Sequence, residues 1–419
     1  MRRPFIGRKM PNMLTVVLAA GVSASTLGAQ QQIAASSSPP PDKPSATYWL
    51  YVGAESADLL HRLRFGPDGF VVEKTFPIGE LPTEMEGPHG LTISRDGKYL
   101  YMTTGHGFPD GKYWKYELGP DTLIGPGLLL GNFPATIDVT PDGLYTVSAN
   151  FNLHGDMVPS SVSVVYTPTG MEVARVVTCT MPHGSRIEPG GRYQYSGCMM
   201  DDQLVEVDLR GMKVSRRLSL KKGKEGPLAA SGDDIMLSMW IEGARKVSSG
   251  KTADPAQVGY AAMGGTRHAM PPASCSPTWA QPSSNGKTVF VACNKANEIV
   301  EVDRDTWAIT RRFATGRGPY NLAVTPDGRL LLATLKPAGS FEVFDLSTGK
   351  SLAQLKNSTA VANGIAVSPD SRYAFVSSEG VGAAPGKVDV YDLKALVKVG
   401  TVDVGQQAGG IAFWKMQGK

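Results

Sequence analysis

The chain has 419 residues, 42% of them hydrophobic and 19% charged, a balance that supports a folded core and excludes a disordered polymer. Its formal net charge of +4 belongs to the first 29 residues, where Arg2, Arg3, Arg8 and Lys9 stand without an acidic residue; the remainder carries 38 Lys+Arg against 38 Asp+Glu. A near-neutral mature chain argues against nucleic acid or an anionic membrane as its main partner.

In chain order, residues 1–29 read as an export signal: a basic start, a modest apolar run from Met13 to Ala24, then small residues up to Ala29. Arg2-Arg3-Pro4-Phe5-Ile6 resembles the twin-arginine export motif. The apolar run is too short to span a bilayer, so no transmembrane span is expected in the mature chain. Residues 30–46, rich in Ser and Pro, form a linker that cannot pack a core. These features predict a periplasmic or secreted protein.

From residue 47 to 419 one unit recurs. Pro88, Pro134, Pro182, Pro277, Pro319 and Ala362 each begin a short apolar strand, and a turn follows at offsets 8 and 9: Asp96-Gly97, Asp142-Gly143, Gly190-Gly191, Asn285-Gly286, Asp327-Gly328 and Asp370-Ser371. A second, a third and a fourth alternating strand follow in most copies, as in Leu204–Asp208, Ile299–Asp303, Phe341–Asp345 and Val388–Asp392 for the third. Four strands per 42 to 48 residues is the signature of a β-propeller blade. Ala408–Phe413 repeats the first strand at the C-terminus, and Tyr48–Val52 with Leu59–Phe65 supply later strands at the N-terminus, so the two ends share one blade. The expectation is an all-β, seven-bladed propeller of four-stranded antiparallel blades. The 95-residue interval between Pro182 and Pro277 contains an inserted loop at about 226–274; the alternative is an eighth blade.

The Pro-x-Gly…Ser/Thr-Pro-Asp-Gly pattern, with second strands such as Thr288-Val289-Phe290-Val291-Ala292, resembles the YVTN-type β-propeller repeats of exported bacterial proteins. The resemblance covers roughly residues 47–419 apart from the insert. It implies a fold and leaves function open, because such propellers bind, scaffold and catalyse.

Propeller geometry places the residue after each anchor at the channel mouth: His89, Ala135, His183, Thr278, Tyr320, Asn363 and, in the shared blade, Gly409. The second strand returns to the same rim, bringing His106 and His154. Four of the six histidines therefore fall at one rim. Converging imidazoles are ligands for copper or zinc, and the nearby thioethers of Met157 and Met199 favour copper; His268 in the insert is a further ligand. Polar lining of the channel, or an organic ligand or heme, are the competing readings.

The cysteines pair by position as Cys179–Cys198 and Cys275–Cys293, each pair at one rim of one blade, in keeping with an oxidising compartment. No nucleophile elbow, phosphate loop, dinucleotide fingerprint or Cys-x-x-Cys-His motif is present. The functional expectation is an exported binding protein whose histidine-rich mouth holds a metal ion, copper favoured, or a small ligand. A copper-dependent oxidoreductase at the same mouth is the alternative, and a lactonase-like hydrolase the second alternative. Partners are a small molecule or metal ion, with another exported protein as a further candidate.

Overall fold

The computed structural model describes residues 42–80, 84–106, 111–155, 157–228 and 273–418. The export signal, most of the linker, the body of the insert and His268 lie outside the described residues.

The described chain is all-β apart from two short 3-10 turns, Glu55–Ala57 and Lys336–Ala338. Its strands form small antiparallel sheets arranged as a β-propeller. The ends do share one sheet: Ala408–Gly418 pairs antiparallel with Ala46–Ala54, followed by Leu59–Gly66 and Gly69–Pro77. Enclosing the first strand of the N-terminal segment between two neighbours leaves it no free edge.

The expected count of seven separate blades is wrong, and so is eight. Five small sheets accompany one nine-stranded sheet, which runs from Gly226–Leu228 through Pro182–Ile187 and Pro277–Pro282 to Ala308–Ala314. The two inner strands, Pro182–Ile187 and Pro277–Pro282, are bridged in parallel at Gly184 and Trp279. The cause is steric: a Cβ on Gly184 would strike Thr278 O and the Trp279 backbone, and its absence lets the two backbones meet. A repeat count registers turns and alternation, but it is blind to contact between repeats. Gly226–Leu228 adds an edge strand on Lys213–Ser219, where the insert was expected to begin as loop.

Four of the six repeat turns are built the same way. Ser94, Thr140, Thr325 and Ser368 hydroxyls donate to the Asp96, Asp142, Asp327 and Asp370 carboxylates at 2.5–2.6 Å. The same oxygens cap backbone N–H groups two residues on, such as Lys98 at 3.1 Å. The next residue is left-handed, with φ of 70°, 73° and 71° at Gly97, Gly143 and Gly328. These aspartates are turn formers, as their position predicts.

Apolar residues of adjacent sheets interlock to make the core. Tyr48, Phe65, Tyr373 and Phe375 pack between the first and last sheets, with the Phe65 and Tyr373 rings 5.1 Å apart. Full burial of one such side chain contributes about 1.5–3 kcal/mol. Both disulfides form, Cys179–Cys198 and Cys275–Cys293. The first differs from expectation in one respect: Cys179 is the penultimate residue of Met171–Thr180 in one sheet and Cys198 ends Tyr193–Cys198 of the next, so it staples two sheets together.

Candidate functional site

At one end of the channel the inner strands deliver their anchor-following residues. His89, Ala135, His183, Tyr320 and Asn363 line the central cavity. Thr278 is buried beside them and serves architecture: its hydroxyl donates to Tyr320 O at 2.9 Å and its carbonyl accepts from His183.

Glu55 lies beside His106 and His89. It follows directly on the strand Ala46–Ala54 and is only 3% exposed. Its carboxylate accepts from His106 Nε2 at 2.9 Å, and His89 Nε2 stands 4.0 Å from its other oxygen. Gly87, at φ 67°, makes room for this pair, since a Cβ there would strike the His106 ring. Burial pushes the Glu55 carboxyl up, but His89, the His106 hydrogen bond and Lys336 outweigh it and hold the group below its ordinary value. The hydrogen bond to Glu55 raises His106 against the opposing effect of burial.

The remaining histidines divide. His154 is exposed, with Nε2 3.3 Å from His106 Nδ1. His183 is buried and its two nitrogens are committed: Nδ1–H donates to Thr278 O at 3.0 Å, leaving Nε2 to accept from the Tyr320 hydroxyl at 3.1 Å. Burial, with His89 nearby, pushes the His183 pKa down to about 3, so this imidazole is neutral. The carbonyl of Ala135, 2.5 Å from His89 Nδ1, likewise assigns that nitrogen as the donor and turns Nε2 towards Glu55.

Across the mouth a second charged pair faces the first. Lys336 Nζ meets Glu379 at 2.8 Å and lies 4.4 Å from the Tyr320 ring centroid. Asn363 Nδ2 donates to the same Glu379 oxygen atom at 2.7 Å. Burial pulls the Lys336 ammonium down, yet Tyr320 and Glu379 outweigh it and raise its pKa, so it stays charged. Phe133 packs edge-on against His89 and His106, and Phe151 against His183.

Two of the rim histidines, His106 and His89, thus face Glu55, while His154 adjoins His106 and His183 pairs with Thr278 O and the Tyr320 hydroxyl. Their arrangement is a hydrogen-bonded network; among the described residues no group of three or more His, Cys, Asp or Glu is placed to hold a metal ion. The 3.3 Å between His106 Nδ1 and His154 Nε2 suits a hydrogen bond or two ligands of one tetrahedral ion. Met157 is 50% exposed, and Met199 packs against the apolar cluster formed by Phe133, Ala135, Phe151 and Met181.

Glu55, Lys336 and Glu379 were missed by sequence reasoning, although a signal existed. Each stands at the end of its repeat's second strand or one residue past it, the location that singled out His106. Extending the same reading to every copy finds all three.

No family model and no curated protein matches the chain. Among solved structures it is similar to the periplasmic gluconolactonase PpgL of Pseudomonas aeruginosa, at 15% identity and a TM-score of 0.61, over 88% of this chain and 99% of that one. It is also similar to Kuenenia stuttgartiensis hydrazine synthase, at 17% identity and a TM-score of 0.53, over 75% of this chain and 79% of that one. The fold is a β-propeller. At these identities the likeness carries fold alone, and the YVTN-type resemblance is supported only at that level.

Proposed function

We propose that this is an exported β-propeller that binds a small, neutral, hydroxyl-rich molecule at its imidazole-lined mouth. The observation that carries the reading is the buried carboxylate of Glu55, hydrogen-bonded to His106 at 2.9 Å with His89 Nε2 4.0 Å from its other oxygen. Gly409 stands between a donor and an acceptor, since a Cβ there would meet Asn363 Nδ2 and Glu55 Oε2 at contact distances of 3.7 and 3.8 Å. The flanking charges are balanced in pairs, Glu55 with His106 and Glu379 with Lys336, which suits a neutral ligand that alternates donors and acceptors. Two disulfides fit an oxidising compartment, periplasmic or extracellular. Among the described residues no helix is long and apolar enough to cross a membrane. Calorimetric titration with neutral sugars and sugar lactones tests the reading. Saturable heats in the wild type that vanish in Glu55→Gln support it, and equal heats in both proteins defeat it.

A hydrolytic reading is favoured by one feature, the carboxylate behind an imidazole. With Nε2–H held by Glu55, His106 presents Nδ1 as a base. Once freed from His154, that nitrogen would take a proton from water attacking a lactone carbonyl and return it to the leaving ring oxygen. The name of PpgL makes glucono-lactone the first substrate to try. Turnover lost in His106→Gln would support hydrolysis. The copper reading rests on the His106–His154 pair, with an open coordination site taking the substrate if the ion is redox-active. Metal content below stoichiometry in both native and copper-loaded protein would remove it, together with the oxidoreductase.

A further inference from the structure

Away from the mouth the channel narrows to a waist. Leu91, Ile137, Ile365, Ile411 and Arg186 line both the cavity on the mouth side, about 30 Å3, and the one towards the opposite face, about 270 Å3. Four of these five side chains are aliphatic and the fifth is a guanidinium.

Arg186 is poorly compensated for such a place. It lies 4.5 Å from the Trp279 ring centroid and donates one hydrogen bond, from Nη1 to Ser185 O at 2.8 Å. Asp138 attracts it, but that carboxylate accepts from the backbone N–H groups of Val139 and Ile187, each at 2.9 Å. The indole on which Arg186 stacks is itself unsatisfied: Trp279 Nε1 is buried without a hydrogen-bond partner. Asn321, on the mouth side of the waist, has a buried Oδ1 without a donor, and exchanging its amide O and N would place a donor there. Buried polar groups are ordinarily paired, and a cation in an apolar constriction calls for an anion.

We propose that the waist is a small-anion site, in which a carboxylate or oxoanion enters through the larger cavity and engages the Arg186 guanidinium. The planar fork of guanidinium N–H groups matches the two oxygens of either anion. Arg95, exposed at the same cavity, adds a second positive charge at the entrance. The cavity of about 270 Å3 admits a few-atom anion, and Arg186 lines it. The anion site is then entered from the face opposite the mouth.

Tryptophan fluorescence tests this, because the Trp279 ring stacks on the binding group. Sodium acetate and sodium phosphate are titrated separately into the full-length protein at constant ionic strength, and the two arms distinguish carboxylate from oxoanion. A saturable millimolar response to either is expected, weakened at least tenfold in Arg186→Gln, less in Arg186→Lys, and absent from Trp279→Phe. No saturable response to either anion in the wild type overturns the proposal, as does an unchanged response in Trp279→Phe. The Trp279→Phe arm holds even if Arg186→Gln fails to fold.

Discussion

Glu55 and His106 stand 51 residues apart, just past the ends of strands in different sheets, and their carboxylate and imidazole meet at 2.9 Å. The contact joins the blade made from the chain's two ends to its neighbour. It couples closure of the ring to the chemistry of the mouth.

Removing that carboxylate should therefore be felt twice. In Glu55→Gln the His106 pKa should fall, because the group that raises it has lost its charge. Stability should drop by about 1.5–3 kcal/mol, the range for a hydrogen bond to a charged group. Imidazole NMR titration reads the first effect and urea unfolding the second.

His183 predicts an acid limb. Its imidazole is held neutral, with a pKa near 3 in the fold against about 6.5 when unfolded. Below the unfolded value the open chain binds the extra proton, so stability should fall as pH drops from 6.5 towards 3, by at most about 1.4 kcal/mol per pH unit from this group. His106 works in the opposite sense: its raised pKa adds stability that is complete below the unfolded value and is lost as pH rises through the folded one. Urea midpoints across pH 4 to 7 for wild type and His183→Gln measure the difference, and the variant should show the shallower acid loss.

The bridge between inner strands predicts a steric effect at one glycine. Gly184→Ala should force Thr278 and Trp279 away and cost about 1–3 kcal/mol, the usual penalty for overpacking. Because the backbone angles at Gly184 are ordinary, the loss should be steric alone, and a thermal scan should show it.

The staple between sheets predicts a redox effect. Opening Cys179–Cys198, which closes a 19-residue separation, should cost about 3 kcal/mol. A Cys179→Ser/Cys198→Ser variant should lower the unfolding midpoint, as should reductant on the wild type.

Much of the fold was legible because turns repeat. The Ser/Thr and Asp at fixed offsets announce each hairpin, and the alternation beside them assigns the strands. The merged nine-stranded sheet was not, because it depends on Gly184 meeting Trp279 across two repeats, and no local pattern records that contact. At the site, His89 and His183 were legible as anchor-following residues. Their roles were not, because Ala135 O and Thr278 O assign their protons and belong to other repeats. Glu55 escaped notice because its repeat is split between the chain's ends.

The most direct test is thermal unfolding of wild type, Glu55→Gln and Lys336→Met against a panel of neutral hydroxyl-rich small molecules, with copper sulfate in parallel. A saturable rise in the wild-type midpoint with at least one organic compound, lost in both variants, is the predicted result. A rise with copper alone, or equal shifts in all three proteins, would contradict the assignment of the mouth as a small-molecule site.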